Sequence, residues 1–203
     1  MTDLLKEKNL RDIYIKSRAI PISRFNIFFS LTIGLIFFIT IFISNLSISD
    51  GFNKINDLSS FLFSSLLSTL GFLIAGYTIF CTITPLDLQK KMINSIDSKT
   101  RLPFFKKVHF IFIRVFIYFL IFSFFLFIIF ILKDIPLDLS RTGLSIKTTN
   151  IIYKYTNYSI LTIIVTSTTF LFCELSSFIF NIYNSIATTL HWLITNPPQD
   201  KNK

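Results

Sequence analysis

The sequence predicts an all-α, polytopic membrane protein with four transmembrane helices in a bundle, both termini in the cytoplasm, and short cytoplasmic amphipathic helices. Composition is the first observation behind this prediction. Of the 203 residues, 52% are hydrophobic and only 15% are charged, whereas a soluble domain holds about 25% charged residues. The mean hydropathy of +0.63 is the second, and the excess of 20 Lys and Arg over 11 Asp and Glu is the third. These values exclude a disordered chain and a secreted disulfide scaffold.

Four stretches are long enough to cross a bilayer, which takes about 20 mostly apolar residues. The predicted spans cover residues 25–48, 60–83, 108–132 and 158–182. The fourth stretch keeps a helical pattern to residue 196, just before two prolines, so we expect a cytoplasmic helical extension there. The predicted organisation is therefore an amphipathic segment over 1–24, a transmembrane domain over 25–196 and a tail over 197–203.

The distribution of Lys and Arg predicts the orientation of these spans. Fourteen lie in the N-terminal segment, the second loop and the tail, and five lie in the first and third loops. Loops rich in Lys and Arg stay on the cytoplasmic side. Both termini and the second loop are therefore predicted to be cytoplasmic.

Two cytoplasmic segments are predicted to form short helices. The first runs from Thr2 to Ala19 and is separated from the first span by Pro21. It either lies on anionic lipid or docks a partner, and lipid contact is the simpler interpretation. The second follows Thr84, which is predicted to cap a helix that starts at Pro85.

Six basic residues of the second loop are candidates for contact with lipid or a partner: Lys90, Lys91, Lys99, Arg101, Lys106 and Lys107. Such a cluster suits the phosphates of lipid, nucleotide or nucleic acid. The orientation of the chain already accounts for this charge. We therefore expect membrane lipid as a partner, and nucleic acid only indirectly, through a soluble protein.

The second span carries a stripe of small residues at helical spacing, namely Ser60, Ser64, Ser68, Gly71 and Ala75. Small residues let helices approach closely in lipid, where packing drives association. The stripe is therefore predicted to be a helix contact face. It meets either a helix of its own chain or a helix of a neighbouring copy.

The fourth span carries a polar seam on one helix face: Ser167, Phe170, Glu174, Ser177, Asn181, Asn184, Thr188 and His191. Polar groups facing lipid are costly, so the seam must face protein or water. Glu174 is the only carboxylate in any predicted span. In one interpretation it forms an ion pair with Arg114 at a similar depth. In the other, Glu174 side chains of several copies form a cation-selective ring, and Phe170 forms a hydrophobic gate.

Catalytic signatures do not occur in the sequence. It has no zinc-binding HExxH, no glycine-rich phosphate loop and no G-x-S-x-G turn. Cys81 and Cys173 fall inside predicted spans and are interpreted as packing residues. We therefore expect no enzyme activity, no metal and no cofactor.

The layout resembles that of small membrane proteins encoded in bacterial antiphage defence operons. The features that carry the resemblance are the basic N-terminus, a second span reading TLGFLIAGYTIFCTIT, and the amphipathic lysine-rich segment over 85–97. The membrane subunits of the Kiwa and Hailong systems are the types it looks like. This resemblance implies a homo-tetramer in the bacterial inner membrane that works with a cytoplasmic protein. It rests on layout, so no functional residue is carried over.

Two functions follow from these observations as predictions. The first is an oligomeric inner-membrane effector of a defence complex, a gated ion channel lined by the fourth helix. The alternative is a non-conducting sensor or anchor that recruits a soluble partner, as in the type whose membrane subunit recruits a DNA-binding effector. A channel needs the polar seam hydrated on a symmetry axis, whereas an anchor needs it buried within each subunit.

Overall fold

The computed structural model describes residues 6–133 and 145–196. Its helices are α1 (Leu10–Ser17), α2 (Arg24–Ile43), α3 (Ile48–Ile83), α4 (Leu86–Asn94), α5 (Phe104–Leu132) and α6 (Ile146–Thr195). By length and composition, α2, α3, α5 and α6 could each cross a membrane. This confirms the all-helical class for the described residues. The bundle layout and the side on which the termini lie stay predictions.

The connection between α2 and α3 is shorter than the sequence predicted. The first span was expected to end at residue 48, but α2 ends at Ile43, because Asn45 takes a left-handed conformation with φ of 51°. Asparagine is one of the few residues that adopt this conformation at helix ends. Ser47 then accepts the backbone N–H of Asp50 and donates to its carboxylate. This capping arrangement starts α3 twelve residues before the predicted span.

Helix α6 is also longer than predicted at its start. It begins at Ile146, not near residue 158, and its 50 residues extend over about 75 Å. The third loop was expected to cover residues 133–157, and its part over 134–144 lies outside the described residues. The predicted tail over 197–203 lies outside them as well.

The chain forms two compact units. The first unit contains the described residues within Met1–Pro21, Leu70–Tyr118 and Glu174–Lys203, and the second contains those within Ile22–Thr69 and Phe119–Cys173. Aromatic rings form the core of the first unit. Phe112 is fully buried, and its ring centroid lies 5.1 Å from those of both Phe80 and Phe178.

Helices α2 and α6 are close-packed in the second unit. A Cβ atom added at Gly34 would overlap the hydroxyl of Thr166. Asn26 and Ser30 precede Gly34 at four-residue intervals and are buried as well. These three positions form the small-residue face on which α2 packs. Near the start of α3, the amide of Asn157 donates to the Ile48 carbonyl and the hydroxyl of Tyr158 donates to the Leu46 carbonyl.

Candidate functional site

Arg114 joins α5 to the N-terminal segment in the first unit. It is only 5% exposed, and its Nη1 donates to the carbonyl oxygens of Ser17 at 3.2 Å and Ile20 at 2.6 Å. Ser17 is the last residue of α1 and Ile20 lies three residues beyond it, at the end of the helix where the dipole favours a cation. The arginine therefore caps α1 from a neighbouring helix.

Glu7 provides a second junction between the same two segments. Its carboxylate accepts the ammonium of Lys106 at 2.7 and 3.0 Å and that of Lys16 at 2.5 Å. The side chains of Glu7 and Lys106 are 6% and 5% exposed. Burial raises the pKa of Glu7, but the hydrogen bonds from Lys106 and Lys16 outweigh it and hold the pKa below its ordinary value. Glu7 is therefore ionised at neutral pH.

The N-terminal segment packs along α5 of its own chain. Lys106, Arg114 and Tyr118 are separated by eight and four residues and so lie on one face of that helix. Tyr14 contacts Tyr118 edge-on, with ring centroids 6.5 Å apart. The segment thus has an intramolecular partner, which the sequence analysis did not consider. Its outer surface exposes apolar residues such as Leu10 and Ile15.

The predicted helix over 2–19 was wrong in extent. Residues 1–5 lie outside the described part, and α1 starts only at Leu10. The physical reason is the side chain of Asn9, which accepts the backbone N–H of Asp12 and caps the helix there. Residues 6–8 lie outside the helix, and the Glu7 carboxylate contacts Lys16 and Lys106.

Glu174 lies buried in the same unit at 4% exposure. Arg114 is buried in the same unit, so two side chains of opposite charge are buried in one unit. We call Arg114 and Glu174 the buried charge cluster. Glu174 is engaged within the chain. A direct Arg114–Glu174 ion pair stays a prediction.

Exposure along the polar seam of α6 changes at Glu174. Ser167, Phe170, Ser177 and Asn181 are half-buried, Glu174 is buried, and Asn184, Thr188 and His191 are exposed. In a single chain, Glu174 is therefore inaccessible, and only the C-terminal part of the seam presents an open polar surface. That part borders a cavity of about 290 Å³.

The small-residue stripe of α3 is uncovered by the described part of the chain. Ser60 is half-buried, and Ser64, Ser68, Gly71 and Ala75 are exposed. A Cβ atom added at Gly71 meets no atom within 4 Å. The close approaches occur instead at Gly34, Gly51 and Gly76. The four-residue spacing of Asn26, Ser30 and Gly34 was the sequence signal for the packing face on α2, and it was missed.

The six basic candidates differ in their surroundings. Three of them form ion pairs: Lys106 with Glu7, Lys107 with Asp97 at 2.6 Å, and Lys90 with Asp87 at 3.3 Å. The ammonium of Lys91 lies 4.5 Å from the ring centroid of Trp192. Lys99 and Arg101 are exposed. Lys106 is buried, and both Lys106 and Lys107 are compensated by a carboxylate of the chain. Lys99 and Arg101 are the two most available for an external phosphate.

Asp97 organises the turn that carries these two exposed cations. It accepts the backbone N–H and the hydroxyl of Thr100 and the ammonium of Lys107. The hydrogen bond from Lys107, followed by those from Thr100, holds the pKa of Asp97 far below its usual range. Arg101 adopts a left-handed φ of 57° in the same turn.

The expected helix cap before α4 was wrong. Thr84 was predicted to cap the helix, but its hydroxyl donates to the Phe80 carbonyl, at the end of α3. Pro85 occupies the cap position without a side-chain hydrogen bond. The Thr84 hydroxyl is thus used by the preceding helix.

A Tyr77–His109 hydrogen bond of 2.7 Å is a further polar contact that the sequence analysis missed. Cys81, interpreted from sequence as a packing residue, is half-buried and not in a disulfide. Among the described residues, no group of three or more His, Cys, Asp or Glu side chains is placed to hold a metal ion.

No protein-family model, curated protein or solved structure matches this chain. The resemblance to antiphage membrane subunits therefore stays a prediction.

Proposed function

We propose that the protein is a non-conducting membrane sensor or anchor that recruits a soluble cytoplasmic partner through its N-terminal segment and basic turn. The observation that carries this proposal is the position of Arg114, which is buried and donates to the carbonyls of Ser17 and Ile20. The buried guanidinium of Arg114 is thereby bound to the N-terminal segment, which is the segment that a partner would engage.

The free-energy cost of a buried arginine couples release of the N-terminal segment to a rearrangement around Arg114. A charged side chain inside an apolar helix is costly unless it is paired or hydrogen-bonded. Release of the N-terminal segment removes two acceptors from Arg114, whose Nε already finds no acceptor among the described residues. The buried charge cluster must then rearrange. A partner that binds the released segment would shift this equilibrium.

A gated pore lined by α6 is the second candidate function. The exposed side chains of Asn184, Thr188 and His191 favour it, as does the uncovered stripe on α3, which suits a second copy of the chain. Such a pore would need a rearrangement to bring Glu174 to the axis, since Glu174 is 4% exposed in the single chain. The resemblance in layout supports bacterial antiphage defence as the context of either function.

Conductance of the full chain in a planar bilayer separates the two candidates. We expect no ion current from the wild-type protein, from Glu174→Gln, or from the control Asp57→Asn, an exposed carboxylate of α3. A current whose cation selectivity changes in Glu174→Gln and not in Asp57→Asn would overturn the sensor proposal and establish the pore.

A further inference from the structure

The cavity beside the polar seam has two chemically different walls. Its volume of about 290 Å³ lies between the end of α3, α4, the start of α5 and the C-terminal part of α6. Apolar side chains, among them Phe80, Leu88, Ile111 and Phe112, form one wall, and Asn181, Asn184 and Thr188 form the other. The volume is about ten times that of one water molecule in the liquid. It accommodates a segment of one acyl chain.

The two asparagines of the polar wall point to a ligand. Asparagine is a poor helix former, yet two occur one turn apart in α6. Their backbone carbonyls accept hydrogen bonds from Ser185 and Thr188, but neither side-chain amide has a hydrogen-bond partner among the described residues. Each amide has two donor hydrogens and one acceptor oxygen to offer. The oxygens of an ester, carboxylate or phosphate group beside an acyl chain can accept from the amide donor hydrogens.

The cavity also lies where two apolar helices end. It includes Thr84, which follows α3, and Phe104, the first residue of α5. Lys107 is on the same rim, where its ammonium is paired with Asp97. If α3 and α5 are transmembrane helices, this place is the boundary between acyl chains and water. A polar headgroup there would lie close to this ion pair.

We propose that this cavity binds one amphiphile, with its acyl chain against Phe80, Leu88 and Phe112 and its polar head against Asn181, Asn184 and Lys107. A membrane phospholipid and a free fatty acid share this chemistry. The site goes beyond the proposed function and is independent of it, because it serves a sensor and a pore equally.

A spectroscopic reporter lies beside this site. Trp192 is the only tryptophan of the chain, and it follows the cavity residue Thr188 by one helical turn. Lys91 of α4 lies 4.5 Å from its ring centroid. Leu88 and Met92 of the same short helix line the cavity. An acyl chain in the cavity is therefore close enough to affect Trp192 fluorescence.

The test measures quenching of Trp192 in the full chain, in nanodiscs with increasing fractions of phosphatidylglycerol that carries brominated acyl chains. Two cavity variants are compared with the wild type: Asn181→Leu/Asn184→Leu removes the amides, and Thr188→Phe fills the space. Ala187→Phe is the matched control, because it adds the same ring at an exposed position outside the cavity. A parallel series adds a brominated fatty acid to unlabelled nanodiscs.

We expect the wild type and Ala187→Phe to be quenched at a low brominated fraction, and each cavity variant to need a fraction about tenfold higher. If only the fatty acid quenches saturably, the ligand is a free fatty acid and not a phospholipid, and the proposed site stands. Equal, unsaturable quenching in all four proteins would overturn the proposal. Thermal unfolding shows whether each variant is folded. One folded cavity variant is enough for the test, because the two variants change the cavity in different ways.

Discussion

Glu7 is the residue on which docking of the N-terminal segment depends most directly. Glu7→Gln leaves the ammonium of Lys106, which is 5% exposed, without its counter-charge. Removing one partner of a buried pair is more costly than removing an exposed one, so we expect a loss of about 2–3 kcal/mol in docking free energy. Hydrogen–deuterium exchange over residues 6–21 measures it. Asp87→Asn, which removes the exposed partner of Lys90, is the control and should leave that exchange unchanged.

The same pair predicts a pH dependence. The pKa of Glu7 in the folded chain is lowered from its ordinary value of 4.5. The stabilisation is therefore fully present above that value and is lost as the pH falls through the lowered, folded pKa. The protection of residues 6–21, which is exchange relative to the intrinsic amide rate at each pH, should fall on acidification below about pH 4.5 in the wild type and stay low and constant in Glu7→Gln. A wild-type profile that is flat down to pH 3 would contradict the role of Glu7.

Arg114 and Glu174 allow a double-variant test of the predicted ion pair. If the two side chains compensate each other, Arg114→Gln and Glu174→Gln each leave a buried charge, and the double variant removes both. We expect each single variant to lower the yield of folded protein and the double variant to recover most of it. The measurement is the monodisperse fraction by fluorescence-detected size exclusion. Additive losses would show that Glu174 has another partner.

Sequence reasoning identified these two charges because ionisable residues are costly in apolar helices. It did not identify what Arg114 binds. The acceptors are backbone carbonyls of Ser17 and Ile20, more than ninety positions away in the chain. Carbonyls have no residue-specific signature, so no spacing pattern reveals them. Glu7 was missed because the N-terminal segment was interpreted only as a surface for lipid or for a partner protein.

At the scale of elements, local signals explain which helix bounds were predicted and which were not. Long apolar runs predicted the presence of α2, α3, α5 and α6. Hydropathy alone placed the start of α3 near residue 60, because residues 48–59 are polar. The cap formed by Ser47 and Asp50 is a sequence signal that extends α3 to Ile48. At the start of α3, the cap therefore locates the helix end better than apolarity does.

The packing of α2 on α6 supplies a prediction with a matched control. Gly34→Ala adds a methyl group that overlaps the Thr166 hydroxyl, so we expect a destabilisation of about 1–3 kcal/mol. Gly71→Ala makes the same change where no atom lies within 4 Å. It should stabilise α3 by up to about 1 kcal/mol through helix propensity. Thermal unfolding in detergent compares both with the wild type, and an equal effect of the two would contradict this packing.

At the scale of the whole molecule, ion pairs within the chain reduce the cationic surface that is available to a membrane or a partner. The net charge of +9 comes mainly from the N-terminal segment and second loop, but Lys106 and Lys107 are already paired with carboxylates of the chain. The cationic surface offered to a membrane or partner is therefore smaller than the sequence suggests. Lys99 and Arg101 present it on a turn organised by Asp97.

The exposed stripe on α3 predicts how copies of the chain would associate. If Gly71 and its small neighbours meet a second copy, Gly71→Leu separates the two helices, because close approach of backbones requires small side chains. Thr32→Leu adds a comparable side chain at an exposed position of α2 and is the control. We expect the mass of the complex in mild detergent, measured by light scattering, to fall to that of one chain only in Gly71→Leu. If the oligomer keeps its mass in both variants, the contact between copies lies on another helix. If the wild-type protein is a monomer, both the tetramer and an axial pore are excluded.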